Sequence, residues 1–468
     1  MTSITRHAGL GGRSSAQDEG MTVASVGAWL RSPVAPYYLT LVSAIVLTGL
    51  GLVMVLSASS VRSYLDSGSS YTVFLEQVAY ASIGVVLAVV GSRLPLVWWK
   101  RLAWPGIFLA LALQAAVFTS LGVEFQGNRN WIEIAGRTLQ PSEFGKIALV
   151  VFGATVLATK RRVMHKIGHA TVPLIFPFGL VLVGLVMQGN DLGTAMIMLA
   201  ILVGLLWAAG LPGRWFLGVG AVVTAGVAYL AAGSANRMER IQVWVGGICE
   251  NPHVQGCFQK VHAEYALADG GWWGLGLGES REKWGLLPEP HNDFILAIIG
   301  EELGLPGSLA VLLLFAVLAY ACFRIVSQSE DTFARLAAAG LLVWFLGQAL
   351  LNIGSVIGML PIIGVPLPLV SSGGSALVSA LLGIGLLLAL ARSLPGATES
   401  LAAKPSRLGR TLASVSTQSR RTATSASRGG ATGASRRSAT STSRGGATST
   451  SRRRPVAKKP AAKPSRTR

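Results

Sequence analysis

Residues 286–304 read Leu-Leu-Pro-Glu-Pro-His-Asn-Asp-Phe-Ile-Leu-Ala-Ile-Ile-Gly-Glu-Glu-Leu-Gly, an apolar run that the carboxylates of Asp293, Glu301 and Glu302 flank or interrupt. Placing one charge at the centre of a bilayer costs roughly 2.5–3.5 kcal/mol on insertion scales. Three carboxylates so close together therefore indicate a polar cavity, which suggests chemistry or transport. Asp293 is the leading candidate, because the prolines and His291 before it place it at a membrane edge that water and a polar substrate can reach.

The composition is that of a membrane protein, since 51% of the 468 residues are hydrophobic and only 13% are charged. Apolar runs long enough to cross a hydrocarbon core of about 30 Å recur along the chain. The predicted fold class is an all-α integral membrane protein with about ten transmembrane helices. The predicted spans are 38–58, 73–91, 102–121, 142–159, 171–188, 192–210, 215–232, 292–323, 334–357 and 371–391.

The eighth run, 292–323, is too long for one straight span. Gly304 and Pro306 predict a single crossing with a broken outer end. The alternative is two short spans, which would reverse the topology of everything after them.

Lys and Arg in the short loops favour an orientation with both termini in the cytoplasm. On that basis we expect a mostly disordered cytoplasmic segment at 1–37, a membrane domain at 38–392 and a disordered cytoplasmic tail at 393–468. The membrane domain includes a large extracytoplasmic loop, 233–290, between spans 7 and 8. Cys249 and Cys257 lie in that loop around a turn-forming Pro and Gly, so we expect either a local disulfide or two free thiols.

The C-terminal tail carries 17 Lys and Arg against Glu399 alone, so it holds most of the net charge of +19. Its Ser, Thr, Ala, Gly and Arg cannot bury a core, which predicts disorder. The tail suits anionic lipid or an acidic partner, or serves as a solvated tether. No aromatic residue lies between the basic ones, which argues against nucleic acid as a partner.

Several polar residues cluster on the predicted outer side and are candidates to contact a substrate. Arginine and lysine suit anions, and a buried ammonium needs a partner, which Glu143 offers Lys146 at a spacing of three residues. Asp191 is either an N-cap or a polar contact in the cavity. The serines of the Pro- and Gly-rich segment 361–375 either hold an anion or belong to a tight re-entrant turn. The candidate substrate-binding residues are Arg129, Glu143, Lys146, Asp191, Arg240, Ser371 and Ser372.

Six stretches together resemble the SEDS family (shape, elongation, division and sporulation proteins). They are Trp131-Ile132 with Gln140 to Phe144, Asp191 to Ala195, Gly271 to Gly278, Leu287 to Ile295, Gly300 to Gly304, and Pro366 to Ser375. The family has ten spans and a large outer loop between the seventh and the eighth. Three positions depart from its usual pattern, namely Asn130, Asn292 and Ser372.

The resemblance implies a peptidoglycan glycosyltransferase that polymerises lipid II at the outer leaflet of the cell membrane. Its implied partners are a class B penicillin-binding protein, which is a transpeptidase, and other divisome proteins. The family's essential aspartate corresponds to Asp293, and we expect Glu301, Glu302 and His291 to support it. The Arg-rich tail makes the chain look more like an actinobacterial FtsW, acting at the division septum, than like an elongation-type RodA.

In the mechanism that this resemblance implies, Asp293 is the general base and cationic side chains clamp the pyrophosphate. No cofactor is certain; a divalent cation could share the clamp, and its ligands are unknown. Intramembrane charges and broken helices also fit a lipid II flippase. A purely scaffolding role is the third alternative.

Overall fold

The computed structural model describes residues 29–125, 127–134, 136–161, 172–232, 235–246 and 255–403. Each of the ten predicted apolar runs coincides with a helix. These are α1 (Ala35–Ser67), α2 (Thr72–Arg93), α3 (Leu96–Ala116), α4 (Pro141–Thr159), α5 (Leu174–Gln188), α6 (Leu192–Ala208), α7 (Arg214–Ala232), α10 (Ile295–Gln328), α11 (Thr332–Val356) and α12 (Gly374–Arg392).

Seven of these helices are long and apolar enough to cross a membrane, and α5 and α6 are shorter apolar helices. The outer helices expose large apolar side chains, such as Val86 on α2 and Leu109 on α3. A bilayer accepts such a surface, whereas water would not. The protein is therefore a multi-pass membrane protein, and the count of ten crossings stays a prediction.

Helices α4, α11 and α12 form the most buried part of the bundle. Small residues let their neighbours approach closely. A Cβ atom added to Gly385 of α12 would lie 2.6 Å from the carbonyl oxygen of Ala88 on α2. A Cβ atom added to Gly84 of α2 would lie 2.5 Å from a methyl carbon of Leu381. The contact between α2 and α12 thus depends on glycine in both helices.

Helix α10 is broken at Gly304, which has φ 67° and ψ −163°, so the predicted break in the eighth run is confirmed. The segment 271–276 packs against the break and satisfies its backbone groups. The amides of Leu275 and Gly276 donate to the carbonyls of Glu301 and Glu302 at 2.9 and 3.0 Å, and the amide of Leu305 donates to the carbonyl of Gly271 at 3.1 Å.

A small antiparallel sheet between α3 and α4 departs from the all-helical expectation. Its strands are β1 (Gly122–Phe125), β2 (Asn128–Ile134) and β3 (Arg137–Leu139), in the order β1-β2-β3. Gly127 and Gly136 lie in the two connections with φ values of 78° and 74°, a conformation that glycine adopts without strain. From the sequence alone, this stretch between two predicted spans is expected to be a loop.

The described residues of the predicted outer loop 233–290 include two α-helices, α8 (Ala235–Gly246) and α9 (Gln255–Gly270). Cys257 is disulfide-bonded. Cys249 lies outside the described residues, so its pairing with Cys257 stays a prediction.

Helix α13 (Ala397–Ala403) lies beyond the predicted boundary of the membrane domain at residue 392. The stretch 393–403 was therefore wrongly assigned to the disordered tail. The rest of the tail and residues 1–28 lie outside the described residues.

Replacing Gly274 with alanine tests the packing against the broken helix. Gly274 has φ 76°, and an added Cβ atom would lie 2.7 Å from the amide nitrogen of Gly304 and still closer to the backbone of Glu302. We expect Gly274→Ala to lower the melting temperature in detergent by several degrees, because the left-handed conformation alone costs about 1–2 kcal/mol. Gly106→Ala is the matched control, since nothing lies within 4 Å of its added Cβ atom. Equal melting temperatures for the two variants would contradict this packing.

Candidate functional site

Asp293 lies in the connection just before α10, two residues ahead of Ile295. Its carboxylate faces backbone, since a Cβ atom added to Gly364 would lie 3.4 Å from Oδ2. Gly364 has φ 77°, which favours glycine at this wall of the site. The carboxylate thus sits in a narrow space whose far side is formed by the segment between α11 and α12.

Three successive backbone carbonyls around Asp293 are each held by a different donor from α11 or the segment that follows it. The bonds are Ser372 N to His291 O at 2.9 Å, Ser371 Oγ to Asn292 O at 2.7 Å, and Asn352 Nδ2 to Asp293 O at 2.7 Å. A carboxylate outside any helix therefore has its backbone fixed on consecutive residues.

The side chain of Asn352 contacts two segments of the site. Its side-chain amide also donates to the carbonyl of Val365 at 2.8 Å. One buried amide thus joins the connection before α10 to the segment that carries Gly364. Both walls of the narrow space at Asp293 depend on this side chain.

Burial raises the pKa of Asp293 to about 7. The negative charges of Glu289 and Asp191 contribute to this rise, and the positive charge of Arg240 opposes it. Arg240 lies on α8 and donates to the carbonyl of Ile362 at 3.2 Å. An acid with a pKa near neutrality exists in both protonation states at working pH, which suits a group that exchanges protons.

Asp191 is an N-cap, which confirms one of the two alternatives left open for it, and its second carboxylate oxygen makes a further polar contact. Its Oδ1 caps α6 by accepting from the amide of Thr194 at 2.9 Å. Its Oδ2 accepts from Gln140 Nε2 at 2.9 Å, and its charge acts on Asp293. Burial raises the pKa of Asp191 as well. Asp191 is therefore a cap that also contributes negative charge to the site.

The predicted pairing of Glu143 and Lys146 is confirmed, with 2.7 Å between Nζ and Oε1. Both side chains are almost fully buried. The ammonium also donates to Gln348 Oε1 at 2.9 Å and lies 5.3 Å from the ring centre of Trp344. These contacts hold α4 against α11. A small cavity lies between Glu143 and the segment 366–371, and Gln348 also lines it.

Arg129 lies on β2 and contacts the end of α3. Its Nε donates to the carbonyl of Val117 at 3.0 Å and its Nη2 to that of Thr119 at 2.8 Å. Val117 is the C-cap residue of α3, and Thr119 lies just beyond it, where its carbonyl also accepts from the amide of Gly122. The contacts favour a role in attaching the sheet to α3 over the predicted role in binding an anion.

The two candidate serines also make structural contacts. The Ser371 hydroxyl accepts from the amide of Leu367 at 2.8 Å while it donates to Asn292. Ser372 reaches the site through its backbone amide. The site includes His291 through its carbonyl; burial lowers the pKa of its imidazole, and its Nδ1 has no hydrogen-bond partner among the described residues.

Glu301 and Glu302 bind the end of the outer loop to α10. Glu301 accepts from Ser280 Oγ and from the amide of Arg281, both at 2.6 Å. Glu302 pairs with Lys283 at 3.3 Å and accepts from Ser57 of α1 at 2.6 Å. Their contacts therefore support the loop around the site.

Sequence reasoning missed three amide side chains, namely Gln77, Gln348 and Asn352. Gln77 of α2 donates to the carbonyl of Ser371 and accepts from the amide of Gly373, both at 3.2 Å. All three lie in or beside apolar spans, where polar side chains are rare and often functional. That rarity was the available signal. In the described part of the chain, no group of three or more His, Cys, Asp or Glu side chains is arranged to hold a metal ion.

The family model described as "Cell cycle protein", which covers FtsW, RodA and SpoVE, matches residues 37–395. The chain belongs to this family. The resemblance drawn from the six stretches is thereby confirmed.

Among curated relatives, the probable peptidoglycan glycosyltransferase FtsW of Mycobacterium tuberculosis is 42% identical over 81% of this chain and 72% of its own length. The stage V sporulation protein E of Bacillus subtilis is 32% identical over 76% of this chain and 97% of its own.

Two solved structures share the fold. One comes from a study of polymerization and crosslinking by a peptidoglycan synthase complex, with a TM-score of 0.61, 24% identity, and 75% of this chain and 96% of that one covered. The other is the rod shape determining protein RodA of Thermus thermophilus, with a TM-score of 0.56, 24% identity, and 76% and 96% covered.

The buried pair predicts an asymmetric response to substitution. Lys146→Met leaves Glu143 buried without its cation, and we expect a loss of about 3–5 kcal/mol in stability. The double variant Glu143→Gln, Lys146→Met should lose less, because no uncompensated charge remains. Thermal unfolding in detergent measures both. Arg62→Met is the control, since Arg62 pairs with Asp66 at an exposed site, where about 0–1 kcal/mol is expected. A double variant less stable than Lys146→Met would contradict the role of charge.

Proposed function

We propose that this chain is a peptidoglycan glycosyltransferase that polymerises lipid II into glycan strands at the outer face of the cell membrane. The observation that carries the proposal is Asp293. Its carboxylate lies at the end of a span, its backbone is held at three successive carbonyls, and its pKa is raised to about 7. The similarity to FtsW of Mycobacterium tuberculosis supports the same activity.

In the proposed reaction, the 4-hydroxyl of one lipid-linked disaccharide attacks the anomeric carbon of another lipid-linked chain. The new bond joins that oxygen to the anomeric carbon, and the bond to the polyprenyl pyrophosphate breaks. Asp293 accepts the hydroxyl proton, a role worth roughly 10²–10⁴-fold in rate. The pyrophosphate leaves as an anion, so it needs stabilisation of its charge and no proton from a second acid.

Arg240 is the best placed of the proposed cationic clamps, because its charge already acts on Asp293. Arg129 and Lys146 are weaker candidates, since carbonyls of α3 and the carboxylate of Glu143 occupy their donors. Asn352 and Ser371 serve as positioning residues, because they hold the backbone beside Asp293. A divalent cation here would take most of its ligands from substrate oxygens.

The proposed reaction has a location in the cell and partner proteins. We propose an orientation with both termini in the cytoplasm, in line with the Lys and Arg of the short loops. We also propose action at the division septum with a class B penicillin-binding protein and other divisome proteins, as a division-type rather than an elongation-type enzyme. The basic tail would bind anionic lipid or an acidic partner.

A lipid II flippase is the second candidate, and the buried charges at Glu143, Lys146 and Glu302 favour it. These side chains, however, make contacts that hold helices and a loop together. Polymer formation in detergent separates the two functions, because a micelle has no two leaflets between which a lipid can be moved.

Replacing the proposed base gives the most direct test. We expect Asp293→Asn to lower lipid II polymerisation at least about 10²-fold, because the amide cannot accept the proton. The measurement is glycan-strand formation from purified lipid II by the full chain together with its transpeptidase. Asp66→Asn is the matched control, since Asp66 is exposed beside Arg62. Normal strands from the Asp293 variant would rule out this base.

The charges around Asp293 predict opposite shifts of the pH–rate profile. Activity should rise as pH increases through about 7, because Asp293 must lose its proton to act as a base. Arg240→Gln removes a charge that lowers the pKa of Asp293, so its acidic limb should move to higher pH. Glu289→Gln removes a charge that raises this pKa, so its limb should move to lower pH. The same polymerisation assay across pH measures both, and shifts in one common direction would contradict the assignment.

A further inference from the structure

The stretch Gly270-Gly-Trp-Trp-Gly274 is not used by the proposed chemistry. Its backbone packs directly on the broken part of α10, where added Cβ atoms at Gly270, Gly274 and Gly304 would all collide with backbone. The two tryptophan side chains between these glycines point away from the packed face. Trp272 is 72% exposed and Trp273 is 86% exposed.

Two exposed indole rings thus lie next to a tightly packed backbone. Trp284, Leu277 and Leu286 of the same outer loop are also exposed. Several large exposed apolar side chains in one segment are typical of a site that contacts a membrane or another molecule. Tryptophan in particular is enriched where a bilayer meets water, because its ring is apolar and its N–H is polar.

The length of α10 indicates how deep in the bilayer the tryptophan pair lies. Arg324, near the opposite end of α10, donates to the carbonyls of Leu30 and Arg31 and to the hydroxyl of Tyr320. A cation with a neighbouring tyrosine is typical of a membrane interface. About twenty residues separate Gly304 from Arg324, and at 1.5 Å per residue they rise about 30 Å. This is the thickness of a hydrocarbon core, so Gly304 lies at the level of the second interface.

The surface between these two levels is apolar and follows one side of α10. Its exposed side chains are Leu305, Leu309, Leu312, Leu313 and Phe323. This stripe begins at the tryptophan pair and ends beside Arg324. The pair therefore continues an apolar surface of membrane thickness at the point where that surface meets water.

We infer that Trp272 and Trp273 form an interfacial anchor that inserts into the headgroup boundary of the leaflet on the Asp293 side. The anchor fixes the depth of the segment 270–283 in the bilayer. That segment is tied to α10 through Ser280, Lys283 and the two glutamates. The inference uses no feature of the proposed chemistry, so its failure would leave the role of Asp293 untouched.

Depth-dependent quenching of tryptophan fluorescence tests the anchor. The full chain and the variant Trp272→Phe, Trp273→Phe are reconstituted in phosphatidylcholine–phosphatidylglycerol vesicles, and the difference between their emission spectra isolates the pair. We expect lipids brominated near the headgroup to remove more of this emission than lipids brominated near the chain ends. Trp99→Phe is the matched control, because Trp99 is buried and its emission should resist both lipids.

Three results would overturn the anchor. The pair could resist both lipids, which means that it faces water or protein. Its emission could change with the protein-to-lipid ratio while it resists both lipids, which means that a second copy covers it. The chain-end bromines could quench it most, which places it inside the hydrocarbon core. Equal melting temperatures of wild type and variant ensure that the difference spectrum reports the pair and not unfolding.

Discussion

Buried polar groups in a membrane-spanning bundle cannot form hydrogen bonds with water, so they need partners within the protein. This constraint governs both the fold and the site. Where α10 breaks at Gly304, the segment 271–276 supplies backbone partners for the exposed carbonyls and amides. Where Lys146 enters the bundle, Glu143 and Gln348 surround its ammonium. Irregular backbone and charge are tolerated here because a second segment is shaped to pair with them.

The same pairing supports the catalytic role that we propose for Asp293. A carboxylate in a connection between helices would ordinarily be mobile, and misplacement by about 1 Å can cost 10²-fold in rate. Asn352, Ser371 and Ser372 prevent this by holding consecutive carbonyls. The donors come from α11 and the Pro- and Gly-rich segment after it, so that segment serves the site through the geometry it imposes.

The features of the fold that depend on local sequence patterns could be predicted. Apolar length gave the ten helices, Gly304 and Pro306 gave the break, and a spacing of three residues gave the pair of Glu143 with Lys146. The partners of Asp293 could not be predicted in this way. Asn352 lies far from Asp293 in sequence, and their contact depends on how α11 packs against the start of α10. The sheet was missed because short strands between glycine turns read as a loop.

The charges at the site come from separate parts of the chain, so the pKa of Asp293 depends on how these parts are placed. Asp293 precedes α10, Asp191 caps α6, and Arg240 belongs to α8 in the outer loop. Burial and the neighbouring acids favour the protonated form of Asp293, whereas Arg240 favours the charged form that can accept a proton. Because Arg240 also donates to the carbonyl of Ile362 near the site, the placement of α8 affects both the shape of the site and the pKa of Asp293. A displacement of the outer loop that withdrew Arg240 would raise that pKa and leave less of the proposed base in its charged form at neutral pH.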